Sequence, residues 1–156
     1  MYEGEWLNDQ YHGQGTEQWN YNKIIYTGQF VEGRKTGKGK FEFDGNVYEG
    51  DFVDGQFHGK GKYLFAESGK VYEGDFFENN MHGQGKMTWT DGTVYEGEFN
   101  AGKMDGIGRK TFVSGDKYEG EFRDDLRHGE GKFFDATKRE EREGTWRNDE
   151  ELPPVK

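Results

Sequence analysis

No cysteine occurs in this chain, so a disulfide framework and a thiolate metal site are both excluded. Proline is confined to Pro153 and Pro154, inside a stretch (150–156) that reads as an exposed tail. No apolar run reaches the length of a signal-peptide core or a membrane-spanning helix. Positive charge is in deficit: 21 Lys and Arg stand against 31 Asp and Glu, a formal net charge of −10. That balance disfavours nucleic acid as a bulk partner, because neutralising phosphates needs a basic surface. It also weakens any general attraction to anionic membranes. Apolar residues are scarce as well, at 30% of 156 residues, a composition that by itself would read as disordered.

What is present argues against disorder. Aromatics make up 17% of the chain and glycine contributes 26 residues, and both recur at regular intervals. The stretch Tyr48-Glu49-Gly50-Asp51-Phe52 occurs seven times with small changes, beginning at Tyr2, Tyr26, Tyr48, Tyr72, Tyr95, Tyr118 and, in altered form, Arg142. The central glycines are 24, 22, 24, 23, 23 and 24 residues apart. A period in the twenties marks a stacked repeat protein, stabilised between neighbouring repeats rather than by one central core.

Counting each Tyr as position zero, aromatic or Gly falls at positions 0, 2 and 4 and acid at 1 and 3, the period-two pattern of a strand with one apolar and one wet face. A turn follows, at Asn8-Asp9, Glu32-Gly33, Asp54-Gly55, Asn79-Asn80, Ala101-Gly102 and Asp124-Asp125. A second alternating run then carries Gly-x-Gly, for example Gly59/Gly61, with an aromatic six residues past the first Gly: Trp19, Phe43, Phe65, Trp89 and Phe112. A further turn (Asp44-Gly45, Ser68-Gly69, Asp91-Gly92, Ser114-Gly115) leads to the next Tyr. Each repeat is therefore one β-hairpin. The glycines share the aromatic face, where a missing Cβ lets a ring lie flat on the backbone. On the other face, acids at position 1 (Glu3, Glu49, Glu73, Glu96, Glu119, Glu143) alternate with bases at position 14 (Lys40, Lys62, Lys86, Arg109, Lys132), and Thr27 and Thr16 stand in those columns near the start. Cross-strand ion pairs are expected there.

The linked pattern of Tyr-Glu-Gly-Asp-Phe, Asp-Gly and His-Gly-x-Gly resembles the MORN (membrane occupation and recognition nexus) repeat. The resemblance covers six repeats to about residue 134 and a partial seventh to about 148. Thr36 and Asp105 stand where His is usual, and Arg142 where Tyr is usual. It implies an all-β, elongated, solenoid-like, twisted single sheet of consecutive antiparallel hairpins over 1–148, with a C-terminal tail over 149–156, and an aromatic-lined groove. It also implies a scaffold of cytoplasmic, cytoskeletal or ciliary assemblies, for which phosphoinositide binding is often proposed.

Catalytic chemistry finds no support in the residues. All four His (His12, His58, His82, His128) occupy the same slot of different repeats, the nearest copies one repeat or roughly 10 Å apart by strand spacing, too far for a shared metal. Gly59-Lys60-Gly61-Lys62 lacks the spacing of a phosphate-binding loop. The expectation is a protein that is not an enzyme and needs no metal or cofactor. It would hold a peptide or amphipathic helix of a partner along a groove formed by Tyr26, Phe30, Tyr48, Phe52, Phe57, Tyr72, Phe76, Met81, Tyr95, Phe99, Met104, Tyr118 and Phe122. The alternative is a phosphoinositide or membrane-recognition module using Lys38, Lys40, Lys60, Lys62, Lys86, Arg109, Lys110 and Lys132. An accessory domain of a larger enzyme is a third reading. Repeat ends with an unpaired edge strand favour a homodimer or larger assembly.

Overall fold

The alternating runs form strands throughout. The computed structural model describes residues 1–21 and 23–154. Its strands are β1 (Tyr2–Leu7), β2 (Gln10–Trp19), β3 (Ile24–Val31), β4 (Arg34–Phe43), β5 (Asn46–Val53), β6 (Gln56–Leu64) and β7 (Val71–Phe77), then β8 (Asn80–Thr88), β9 (Val94–Asn100), β10 (Lys103–Thr111), β11 (Lys117–Arg123), β12 (Leu126–Asp135), β13 (Glu140–Arg147) and β14 (Glu150–Glu151). They follow one another in sequence order in one antiparallel sheet, with no helix among the described residues. The fold is all-β and built of consecutive hairpins, as the repeat pattern predicts. The chain divides into two compact units, Met1–Asn80 and Met81–Lys156.

In the first unit, one repeat shows how the hairpin is held. Gly50 pairs with Gly61 across β5 and β6. The Tyr48 ring lies on Gly61 so closely that a Cβ there would sit 2.5 Å from the ring's Cε2. On its far side the ring is covered by Phe57, stacked at 3.9 Å between centroids and 10° between planes. The phenol hydroxyl donates to the Asp51 carbonyl at 2.6 Å. At that point the register shifts by a β-bulge between Gly50 and Asp51, and Gly59 takes a φ of 60° to make the extra bend. The Asp51 carboxylate then accepts from the Lys60 amide at 2.9 Å. Burial opposes the ionisation of Asp51, but the Lys38 ammonium and the Lys60 amide outweigh it and hold the carboxyl below its ordinary value. Asp51 thus has a specific task, satisfying a bulge amide that the ladder leaves unpaired. Glu5 and Gln29 do the same for Gln14 and Lys38.

The repeats interlock through the rings. Phe52 packs edge-on against its own Tyr48 at 5.1 Å and against Tyr26 of the repeat before at 5.0 Å. Phe30 bridges Tyr26 and Tyr2 in the same way, and Phe76 bridges Tyr72 and Tyr48. Such T-shaped pairs are worth about 0.5–1.5 kcal/mol each beyond area burial. The second unit repeats the device. Tyr95 lies on Gly108 and Tyr118 on Gly131, and their hydroxyls donate to the carbonyls of Glu98 and Glu121. Phe122 packs against Tyr95 at 4.9 Å. Trp146 packs against Tyr118 at 4.9 Å and is buried, so the altered last copy keeps its ring contact. Arg142, in the Tyr slot of that copy, lies over the Phe133 ring and pairs with Glu151 at 2.7 Å.

The hairpin turns have positive φ at both central residues, the pattern of two-residue loops that match strand twist. They are Asn8-Asp9, Glu32-Gly33, Asp54-Gly55, Glu78-Asn79, Ala101-Gly102, Asp124-Asp125 and Asn148-Asp149. The turn expected at Asn79-Asn80 thus sits one residue earlier, because Asn80 opens β8. Successive turns are tied together. The Asn79 amide donates to the Phe57 carbonyl at 3.0 Å while its side-chain oxygen accepts from the Phe57 amide at 2.9 Å. Asp125 clamps Met104, and Asp149 clamps Arg127, in the same two-way manner. Of the stretch expected as a tail, Glu150 and Glu151 form β14 against β13, and Val155 and Lys156 lie outside the described residues.

Two outcomes follow from the ring-on-glycine contact. Gly61→Ala lowers the unfolding free energy by about 1–3 kcal/mol through overpacking, and Gly61→Val lowers it further despite valine's higher strand propensity; urea titration reads the order. The second is alkaline sensitivity. Burial pushes the Tyr26 phenol up from 10.0 to about 12, and Tyr118 likewise to about 12. Below pH 10 the phenols are neutral in both states. Above it the unfolded chain ionises first, so stability falls as pH rises from about 10 to 12. Denaturation midpoints measured across that window test this.

Candidate functional site

The strands sort the thirteen expected groove residues into two groups. Tyr26, Phe30, Tyr48, Phe52, Tyr72, Phe76, Tyr95, Phe99, Met104, Tyr118 and Phe122 are all at most 5% exposed. They are the protein's own packing and offer almost no surface. Phe57 and Met81, at position 9 beside the turns, are half-buried. The bulge brings position 9 back over the Tyr ring, so Phe57 and Met81 lie in the outer layer of the aromatic face, while Met104 of the same column is buried.

Positions 15 and 17 complete that layer. Tyr48 pairs in register with Phe41 on one side and Tyr63 on the other, so residues at position 15 flank each buried Tyr. In the first unit these columns enclose an open cleft of about 570 Å³. Trp19, Ile24, Lys35, Phe41, Phe43, Phe52 and Phe57 line it, with Asn20, Gly55 and Asn79. Trp19, Ile24, Lys35, Phe41, Phe43 and Phe57 are half-buried, and Phe52 is buried. Phe41 lies 5.3 Å from Phe43 and 6.0 Å from Phe57, and Phe43 lies 6.4 Å from Tyr63, so the rings form a continuous wall. At one end the Lys35 ammonium sits 4.6 Å over the Trp19 ring and bonds to Glu17 at 2.9 Å. Sequence reasoning singled out Trp19 and Phe43 only as recurring aromatics. It passed over Phe41, Glu17 and Lys35, although the large residues recurring at position 15 (Phe41, Tyr63, Met87, Phe133) carry the signal.

The other face carries the charged ladder. Lys40 stands in register between Thr27 and Glu49, Lys62 between Glu49 and Glu73, Arg109 between Glu96 and Glu119, and Lys132 between Glu119 and Glu143. Near the start, where Thr16 faces Thr27, their hydroxyls approach to 3.2 Å instead. Ion pairs join Lys86 to Glu96 at 3.6 Å, Arg109 to Glu119 at 3.1 Å and Lys132 to Glu143 at 3.6 Å. Lys38 pairs with Asp51, Lys60 with Asp75 and Lys40 with Glu42. Seven of the eight expected phosphate-binding cations thus share this face with interleaved carboxylates. The eighth, Lys110, lies among the rings of the opposite face, its ammonium 5.2 Å over Trp89 and 5.4 Å over Phe112. Among the described residues no group of three or more His, Cys, Asp or Glu is placed to hold a metal ion. The His slot lies at the bulge, where His58 pairs with Asp51 and its ring sits 5.2 Å from Phe77.

An antiparallel sheet of hairpins, one per repeat of about 23 residues, with ring-on-glycine packing defines a β-hairpin repeat protein. The chain belongs to the MORN repeat family, whose model matches residues 2–20, 26–46, 48–70, 72–94, 95–117 and 118–137. No curated protein matches the sequence. Among solved structures, the TCP domain of SAS-4 (dCPAP) of Drosophila melanogaster, in complex with a proline-rich motif of Ana2 (dSTIL), is similar to it. That likeness has a TM-score of 0.49 and 10% identity, covering 86% of this chain and 85% of that one.

The Lys35–Glu17 pair has side chains only 20% and 17% exposed, so removing one charge strands the other. Glu17→Gln is expected to cost about 1–3 kcal/mol, and the double change Glu17→Gln/Lys35→Met to recover most of it. Thermal and urea unfolding of the three variants measure this.

Proposed function

We propose that the protein is a non-catalytic scaffold whose first unit holds a segment of a partner protein in the aromatic cleft. One observation carries this reading: the rings of Trp19, Phe41, Phe43 and Phe57 remain half-exposed together, after the interlocking Tyr and Phe have satisfied the sheet's own packing. Contiguous apolar surface of this kind marks an interaction site, since leaving it in water is unfavourable. The cleft is open along the sheet and its polar groups are few, which suits an extended or helical segment presenting apolar side chains. Its one cation, Lys35, is already neutralised by Glu17 and helps to shape the site. Membership of the MORN family supports a setting in a cytoskeletal or ciliary assembly, and the acidic balance suits a segment with basic flanks. The interleaved carboxylates of the charged face do not favour a phosphate ligand there.

Affinity capture with wild type, with Trp19→Ala/Phe43→Ala and with Phe65→Ala as control, followed by titration of the captured partner's binding segment, tests the reading. The double variant is expected to bind at least about tenfold more weakly, a loss of ~1.4 kcal/mol, with the control unchanged. Equal affinity in all three, in variants with wild-type circular dichroism, excludes the cleft as the site.

A further inference from the structure

The repeat frame lets one part of the molecule be compared with another. In the first unit, the position-9 cation Lys35 lies over the position-17 ring of the preceding repeat, Trp19, at 4.6 Å and over its own Tyr26 at 5.3 Å. The position-15 residue beside it is Glu17, which completes an ion pair at 2.9 Å. In the second unit the same three slots are filled by Arg127, Phe112 and Lys110. Arg127 lies 5.8 Å over Phe112 and 5.8 Å over its own Tyr118, reproducing the arrangement of Lys35. At the place of Glu17, however, stands a second cation, Lys110.

Arg127 finds its anion elsewhere, in Asp149 of the last turn, at 3.1 Å. Lys110 does not. Among the described residues it makes no ion pair and no side-chain hydrogen bond, and its ammonium is held beside the rings of Trp89 and Phe112. Cation–π attraction and the more distant Asp149, Asp125 and Asp91 offset part of the cost of removing a charge from water, but among the described residues no carboxylate reaches ion-pairing distance of this half-buried ammonium. Burial and the neighbouring Arg127 both pull the Lys110 amine below its ordinary value, against the opposite pull of Asp149, Asp125 and Asp91.

The geometry points to a docking site on the second unit, centred on Lys110 and walled by Trp89 and Phe112, for an extended peptide segment of a partner that carries an Asp or Glu side chain between apolar residues. The carboxylate takes the role that Glu17 plays within the first unit, and the flanking apolar residues lie on the two rings. A carboxylate fits better than a phosphate, because the nearby charges of Asp91, Asp125 and Asp149 already act on Lys110 and oppose a second negative charge. This site rests on its own observation and stands whether or not the cleft of the first unit binds a partner.

Selection of a random peptide library against the full chain, with the Lys110→Met variant as counter-target, tests the proposal. The expected peptides carry Asp or Glu beside apolar residues. Changing that acid to its amide weakens binding to wild type about tenfold, while Lys110→Met no longer distinguishes the two peptides. Trp19→Ala/Phe43→Ala leaves their affinity unchanged, which separates this site from the first. Enrichment of peptides without an acid, no enrichment over the counter-target, or an acid-to-amide ratio that persists in Lys110→Met overturns it. A ligand-free measurement tests the slot itself: Lys110→Glu recreates the Glu17–Lys35 pair with Arg127 and is expected to raise the melting temperature by about 2–4 °C while abolishing peptide binding. An unchanged or lower melting temperature overturns the equivalence of the two slots.

Discussion

Everything in this structure depends on a tyrosine ring lying on a glycine. The ring of Tyr48 fills the space that a Cβ on Gly61 would occupy, and its hydroxyl reaches the carbonyl at the bulge. One side chain thereby packs the hairpin and satisfies a backbone group that the register shift leaves open. A single-layer sheet has no second layer against which to bury its apolar side. The sheet solves this by folding each ring down onto its own backbone, so that the face becomes its own cover. Glycine's entropic cost, about 0.5–1 kcal/mol per residue, is offset by rings whose complete burial is worth about 1.5–3 kcal/mol each.

That economy sets up a division of labour along the repeat. From Tyr26 onward, the aromatics at positions 0 and 4 are buried and hold neighbouring repeats together, and they vary little. Positions 9, 15 and 17 lie one layer further out, apart from the buried Met87 and Met104, and vary widely: Tyr11, Lys35, Phe57, Met81, Met104 and Arg127 share one column. Variation there does not threaten the ring ladder, so surface chemistry can differ from repeat to repeat on a constant frame. The apolar wall of Phe41, Phe43 and Phe57 and the cation pair of Lys110 and Arg127 are two products of that freedom. The charged face is different again. Its alternating columns contribute a few tenths of a kcal/mol per exposed pair.

Much of this was legible in the residues alone. The 22- to 24-residue period, the alternation and the Asp-Gly and Asn-Asp turns define hairpins and their order, because local pattern and chain continuity suffice to pair adjacent strands. The acidic and basic columns follow from parity, and the register confirms them residue by residue. Parity also places Tyr48 and Phe52 on the apolar face. Parity says nothing about depth, however. It could not tell that Tyr48 is sealed while Phe41, of the same parity and directly opposite, stays half-exposed.

The sequence by itself determined an all-β hairpin repeat with one aromatic and one charged face, since both follow from period and local turn chemistry. The tertiary structure alone decided which aromatics remain available. The bulge at the first glycine of Gly-x-Gly shifts the register, laying position 9 over position 0 and setting residues from different repeats side by side. Glu17 meets Lys35, 18 residues away, while Lys110 lies near Arg127, 17 residues away. Such neighbours are created by strand pairing across repeats, and no local pattern in either strand encodes them.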